Sequence, residues 1–208
     1  MKFLIPIPLD ATPEQHARLR ALRAVFAQVC NRLAPAVQAS RIWNRVTLHH
    51  LHYHALREQF PDLGSQMVCN AIYAVSKMAR LVYQHPKSPY NVAAKDARPL
   101  PLLRFADSCP VYFDRHTLSI KDEQLSLFTM DGRMHFELTL APAKRAVFAQ
   151  AKLREIALKE RADQRFELSF YLESDDALVT NLQPSPPPVK AVSLTELVPH
   201  YVSVEVAP

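Results

Sequence analysis

The chain has 208 residues, 49% hydrophobic and 22% charged, enough for a packed core in one large domain or two small ones. Its two glycines, Gly64 and Gly132, exclude the dinucleotide fingerprint and the P-loop, because a phosphate cradle needs several residues free to take positive φ. No apolar run approaches the ~20 residues that span a bilayer, and Cys30, Cys69 and Cys109 are odd in number and widely spaced, which predicts a soluble cytoplasmic protein with reduced thiols.

In chain order, residues 1–11 contain KFLIPIPL, whose apolar residues alternate between prolines and predict a short edge strand. Thr12, Pro13 and Gln15 supply a helix N-cap, a proline at the first helical position and the glutamine of a capping box. Leu19, Leu22, Val25, Phe26, Val29 and Leu33 follow at the spacing of a buried helical stripe, and Pro35 is expected to kink or end that helix. A second helix is predicted over Thr47 to Phe60 on Leu48, Leu51, Ala55 and Leu56, stopped by Pro61 and Gly64. Ser65 is the expected cap of a third, whose stripe includes Met67, Ala71, Ile72, Val75, Met78 and Val82. Residues 12–85 are thereby predicted to form a helical bundle.

Residues 86–104 carry four prolines, Pro86, Pro89, Pro99 and Pro101, together with Lys87, Lys95, Arg98 and Arg104, and read as an extended basic linker. Over residues 105–173 the apolar period shortens to two. Val111 to Phe113, Thr117 to Ile120, Gln124 to Phe128, Met134 to Leu140 and Arg165 to Leu172 read as strands, with Asp131-Gly132 as a hairpin turn. Residues 151–160 fit a helix by propensity, or a strand with Leu153, Ile156 and Leu158 on one side. Residues 174–208 form an acidic, then proline-rich tail, with PSPPP at 184–188 and a closing apolar stretch.

The net charge of +5 is unevenly divided. Residues 12–85 carry nine Lys/Arg against three Asp/Glu, and residues 86–104 four against one. Residues 105–173 hold ten against eleven, and 174–208 one against four. A cationic front half attached to a neutral one is the electrostatic footprint of nucleic-acid binding. The candidate phosphate contacts are Arg18, Arg20, Arg23, Lys77, Arg80, Lys87, Lys95, Arg98 and Arg104, which would release counterions on binding without reading sequence. Trp43, Tyr53, Tyr83 and Tyr90 lie among them as candidate platforms for unpaired bases.

No catalytic constellation is found, and the chain is expected not to be an enzyme. His50 and His54 share a helical face within the run His49, His50, His52 and His54, but two ligands with no cysteine nearby make a poor metal site. The three cysteines read as small buried hydrophobes. Asp175-Asp176 reads as a turn, since a two-metal centre needs further carboxylates. No metal and no cofactor are expected.

An N-terminal strand and a basic helical region precede FDRHTLSIKDEQLSLFTMDGRMHFELTL, which is followed by AKLREIALKERADQRFELSFYLE. This order resembles the N-terminal half of the TnpB transposon-encoded RNA-guided nucleases, relatives of type V CRISPR effectors. The resemblance implies an α+β fold: a small antiparallel β-barrel of the wedge, OB-like kind, interrupted by a helical recognition bundle. It also implies that 151–160 is a strand. Residues 1–11 would be the first strand of that barrel, 12–85 the bundle, 86–104 the linker, 105–173 the rest of the barrel and 174–208 the tail.

The family's next element is a strand of Gly-Ile-Asp-Leu-Gly type whose aspartate binds metal. The counterpart here is Ala191-Val192-Ser193-Leu194-Thr195, with Ser193 in the place of the aspartate. A neutral hydroxyl cannot replace a carboxylate between two divalent ions. The expectation is a nuclease-less protein that binds a structured RNA, with target DNA as a second ligand, and a protein partner on the tail. The alternatives are an adaptor that faces an acidic protein, and the recognition subunit of a split nuclease.

Overall fold

The structure is a computed structural model that describes residues 2–94, 98–121, 123–138, 140–173 and 197–206. The front half reads β1 (Lys2–Pro8), α1 (Pro13–Ser40), α2 (Arg45–Gln59), α3 (Ser65–Tyr83), β2 (Leu102–Phe105) and β3 (Val111–Phe113). Then come β4 (Leu118–Lys121), β5 (Gln124–Thr129), β6 (Gly132–Glu137), α4 (Pro142–Gln150), β7 (Lys152–Glu160), β8 (Phe166–Glu173) and β9 (Val202–Glu205). The fold is α+β with antiparallel sheets. Among the described residues no helix is long and apolar enough to cross a membrane. The chain divides into two compact units, 1–19 with 110–188 and 20–109 with 189–208.

Unit 1 contains a four-stranded sheet in the order β1-β8-β7-β3 and a three-stranded sheet β4-β5-β6. Phe3, Ile5 and Ile7 of β1 lie opposite Leu172, Phe170 and Leu168 of β8, and all six are buried. That alternation is what KFLIPIPL encodes.

The expected closed barrel does not form among the described strands. The Leu9 amide donates to the Phe166 carbonyl, so the odd-numbered positions of β1 bond to β8, while Pro6 and Pro8 lie at the even positions along the outer edge. Proline has no N–H to offer a further strand, and the sheet stops there. At its other side β3 is three residues long. It ends in a turn where Asp114 Oδ1 accepts from the His116 and Thr117 amides.

The first turns of α1 belong to unit 1. The Thr12 amide donates to Gln15 Oε1 and the Gln15 amide to Thr12 Oγ1, the capping box expected at that position. Gly132, at φ 102°, turns β5 into β6. Residues 152–160 form a strand paired to β8, with an irregularity at Leu153/Glu155. The preceding helix, α4, was not predicted.

Unit 2 comprises the rest of α1, α2, α3 and the β2-β9 ribbon. Its apolar interior draws Leu22, Phe26, Val29 and Leu33 from α1, Leu48 and Leu56 from α2, and Met67, Ile72, Val75 and Val82 from α3. Pro35 does not end α1, which runs on to Ser40. An interior proline costs about 3 kcal/mol; here burial of Ala34 and Val37, and the Gln38 Nε2 bond to the Leu100 carbonyl, act against that cost. The helix ends at Arg41, whose φ of 57° is left-handed. The cap of α3 is Gly64, and Ser65 is its first helical residue.

The segment after α3 is tied to the helices. The Tyr83 hydroxyl donates to the Pro101 carbonyl at 2.6 Å, and the Val92 amide to the Tyr83 carbonyl. The Asn31 amide side chain exchanges two bonds of 2.8 Å with the Phe105 backbone.

Candidate nucleic-acid interface

Tyr73, Lys77, Arg80 and Gln84 recur at three-to-four spacing along and just past α3, and so share one helical face. With Arg45 and His85 they line a cavity of about 670 Å³. Beside it lies a cleft of about 470 Å³ lined by Arg41, Trp43, Asn44, Arg80 and Gln84. Arg80 and Gln84 belong to both walls, so the two hollows are neighbours that share a partition.

The lining is one-signed. Arg41, Arg45, Lys77 and Arg80 contribute four cations, and no carboxylate is among the described lining residues. Arg41, Arg45 and Arg80 are exposed and Lys77 is half-buried. Cations collected in a concave surface focus their field on whatever enters. Arg45 and Lys77 also lie 5.5 Å and 5.9 Å from the centre of the Tyr73 ring, close enough for cation–π attraction.

The start of α2 adds to this field. Asn44 is its N-cap and accepts from the Val46 and Thr47 amides, and no acidic residue lies in the first turn. Arg45, the first residue of α2, lies at the positive end of the helix dipole, where a cation is disfavoured by about 0.3–1 kcal/mol. With the Val46 and Thr47 amides already taken by Asn44, the helix end adds only its positive partial charge to those of Arg41 and Arg45.

The nine candidate cations are dispersed. Lys77 and Arg80 line the groove. Arg18 is held in unit 1, where its guanidinium meets Asp131 at 2.7 Å and the Thr129 hydroxyl at 3.2 Å. The Thr129 hydroxyl, then Arg18, hold the Asp131 carboxyl below its ordinary pKa. Arg23 is only 4% exposed and cannot reach a phosphate. Arg104 pairs with Glu205 across the β2-β9 ribbon at 3.0 Å. Arg20, Lys87 and Arg98 are exposed outside the groove lining, and Lys95 lies outside the described residues.

Of the candidate platforms, Trp43 lines the cleft, with its ring 5.5 Å from that of Tyr83. Tyr83 is fully buried, and burial pushes its hydroxyl up to about 12. Tyr90 is buried too, and Tyr53 stacks on His49 at 4.7 Å. Arg41, Arg45 and Tyr73 were not among the sequence candidates. The four-residue step from Tyr73 to Lys77 was visible, but the approach of Arg41 and Arg45 depends on how α2 packs.

Elsewhere, no group of three metal-ligating side chains occurs among the described residues. Burial, then the neighbouring Cys109 thiol, push the Cys30 thiol well above its ordinary pKa, which suppresses its nucleophilic thiolate form. Asp175, Asp176 and Ser193 lie outside the described residues. No protein-family model matches the chain, and no curated protein matches its sequence.

Proposed function

We propose that the chain binds a structured RNA through the groove of α2 and α3, as the recognition part of a TnpB-like protein. The observation that carries this reading is the set of four cations, with no described carboxylate, around two adjoining hollows that also hold Tyr73 and Trp43. Guanidinium and ammonium groups in that arrangement neutralise backbone phosphates, while an aromatic edge within the groove meets an unpaired base.

On this reading α1, α2 and α3 are the helical recognition part, and the two sheets of unit 1 correspond to the family's OB-like wedge in an opened form. A guide–target duplex is the second ligand, recognised by backbone and shape. The output is binding rather than cleavage. What supports that is Ser193, in the place the resemblance gives to a metal-ligating aspartate.

The test is to isolate the protein from its host at low salt and sequence the nucleic acid that accompanies it. One defined small RNA is expected, and its yield should fall in an Arg45→Glu, Arg80→Glu double variant. Recovery of no nucleic acid, or of an acidic protein in its place, overturns the reading in favour of an adaptor.

A further inference from the structure

A different hollow lies within unit 1. Its volume is about 550 Å³, inside the roughly 300–1,000 Å³ range of small-molecule sites. Its walls come from both sheets and from α4: Leu118 of β4, Phe148 of α4, Leu153 and Ile156 of β7, and Phe170 and Leu172 of β8. Phe148 meets Phe170 edge to face at 5.0 Å. Leu153 is 41% exposed, one of the few large apolar side chains left so.

The irregularity in β7 builds this wall. Leu153 and Ile156 are three residues apart, and in a regular strand they would face opposite sides. Between them the register to β8 skips Arg154, so that Leu153 opposes Leu172, Ile156 opposes Phe170, and all four line the hollow. Such bulges re-aim side chains and gather at functional sites. The skipped Arg154 turns to pair with Glu173.

The mouth has the opposite character. Arg115, Lys121 and Arg145 line it with Glu123, which pairs with Arg145, for a net +2 over the described lining residues. We propose that this hollow binds a small anionic amphiphile, with its apolar body against Phe148, Leu153, Ile156 and Phe170 and its carboxylate or sulfonate at Arg115 and Lys121. Ser119 is the one neutral polar side chain among the described lining residues, so a polyhydroxylated body such as a sugar would be desolvated there with few partners, whereas an alkyl or aryl body would not. A cationic mouth selects the charged head. The site is independent of the groove of unit 2, and the two readings stand or fall separately.

Titration of the full chain with anilinonaphthalene sulfonate, followed by fluorescence and displaced with decanoate below its micelle concentration, tests this. One saturable site per chain, emptied by decanoate, is expected. Leu153→Glu places a carboxylate against the apolar body and should weaken both ligands at least about tenfold. Arg115→Gln, at an exposed side chain, should weaken decanoate about threefold to tenfold and leave decanol unchanged. Unfolding midpoints and RNA affinity of both variants serve as controls. Absence of saturable binding up to about 1 mM (about −4 kcal/mol), or equal affinity for decanoate and decanol, overturns the proposal.

Discussion

Arg80 stands where the cavity and the cleft share a wall, so its charge acts on both hollows at once. On the proposed reading, Arg80→Glu exchanges attraction for a phosphate for repulsion and should weaken binding of a structured RNA by about tenfold or more in a fluorescence-anisotropy titration. Arg18→Gln, at the Asp131 ion pair, should leave that affinity unchanged and lower stability instead. The Asp131 carboxyl is held below its ordinary range in the folded chain, by the Thr129 hydroxyl first and Arg18 second. Its pairing therefore favours folding above the ordinary carboxylate pKa of about 4 and is lost as pH falls through the lowered value. The gap in urea midpoint between wild type and Arg18→Gln should be open at pH 7 and close toward pH 3. At this scale, sequence could rank cations by number but not by partner: Arg18 and Arg104 look like Arg80 until Asp131 and Glu205 are seen beside them.

Local chemistry made several elements readable. The Thr12–Gln15 box marks the start of α1, and Thr12→Ala should cost about 1 kcal/mol in a urea titration by removing an N-terminal acceptor. Gly132 turns the β5-β6 hairpin at a φ of 102°, and a β-carbon built there meets nothing within 4 Å. Gly132→Ala should therefore destabilise through backbone strain alone, by about 1–3 kcal/mol, with no clash to relieve.

Other elements were not readable because their causes are remote in sequence. α1 passes Pro35 because Gln38 and Val37 are held by unit 2 packing. The pairing of β2 with β9 joins residues about a hundred positions apart, in a segment whose prolines read as linker. α4 is nine residues long and has too few apolar side chains to show a period against the preceding strand. The skip at Arg154 reconciles Leu153 with Ile156 and Leu158 on one side, and only the partner strand reveals it.

For the whole molecule, the cationic stretch 12–85 contains all four cations of the groove, and the sequence singled out two of them, Lys77 and Arg80. Five of the twenty-five Lys/Arg lie between residues 41 and 80, and four of them, Arg41, Arg45, Lys77 and Arg80, line the two adjoining hollows; Arg57 instead donates to the Leu63 carbonyl. That convergence is a property of helix packing rather than of composition. The central claim is that these four cations meet phosphates, and the most direct measurement is the dependence of RNA affinity on salt. For four neutralised phosphates the slope of log K against log salt should be about −3, and a variant with all four changed to glutamine should bring it close to zero. A flat profile for the wild type, or a steep one that the fourfold variant retains, would contradict the account.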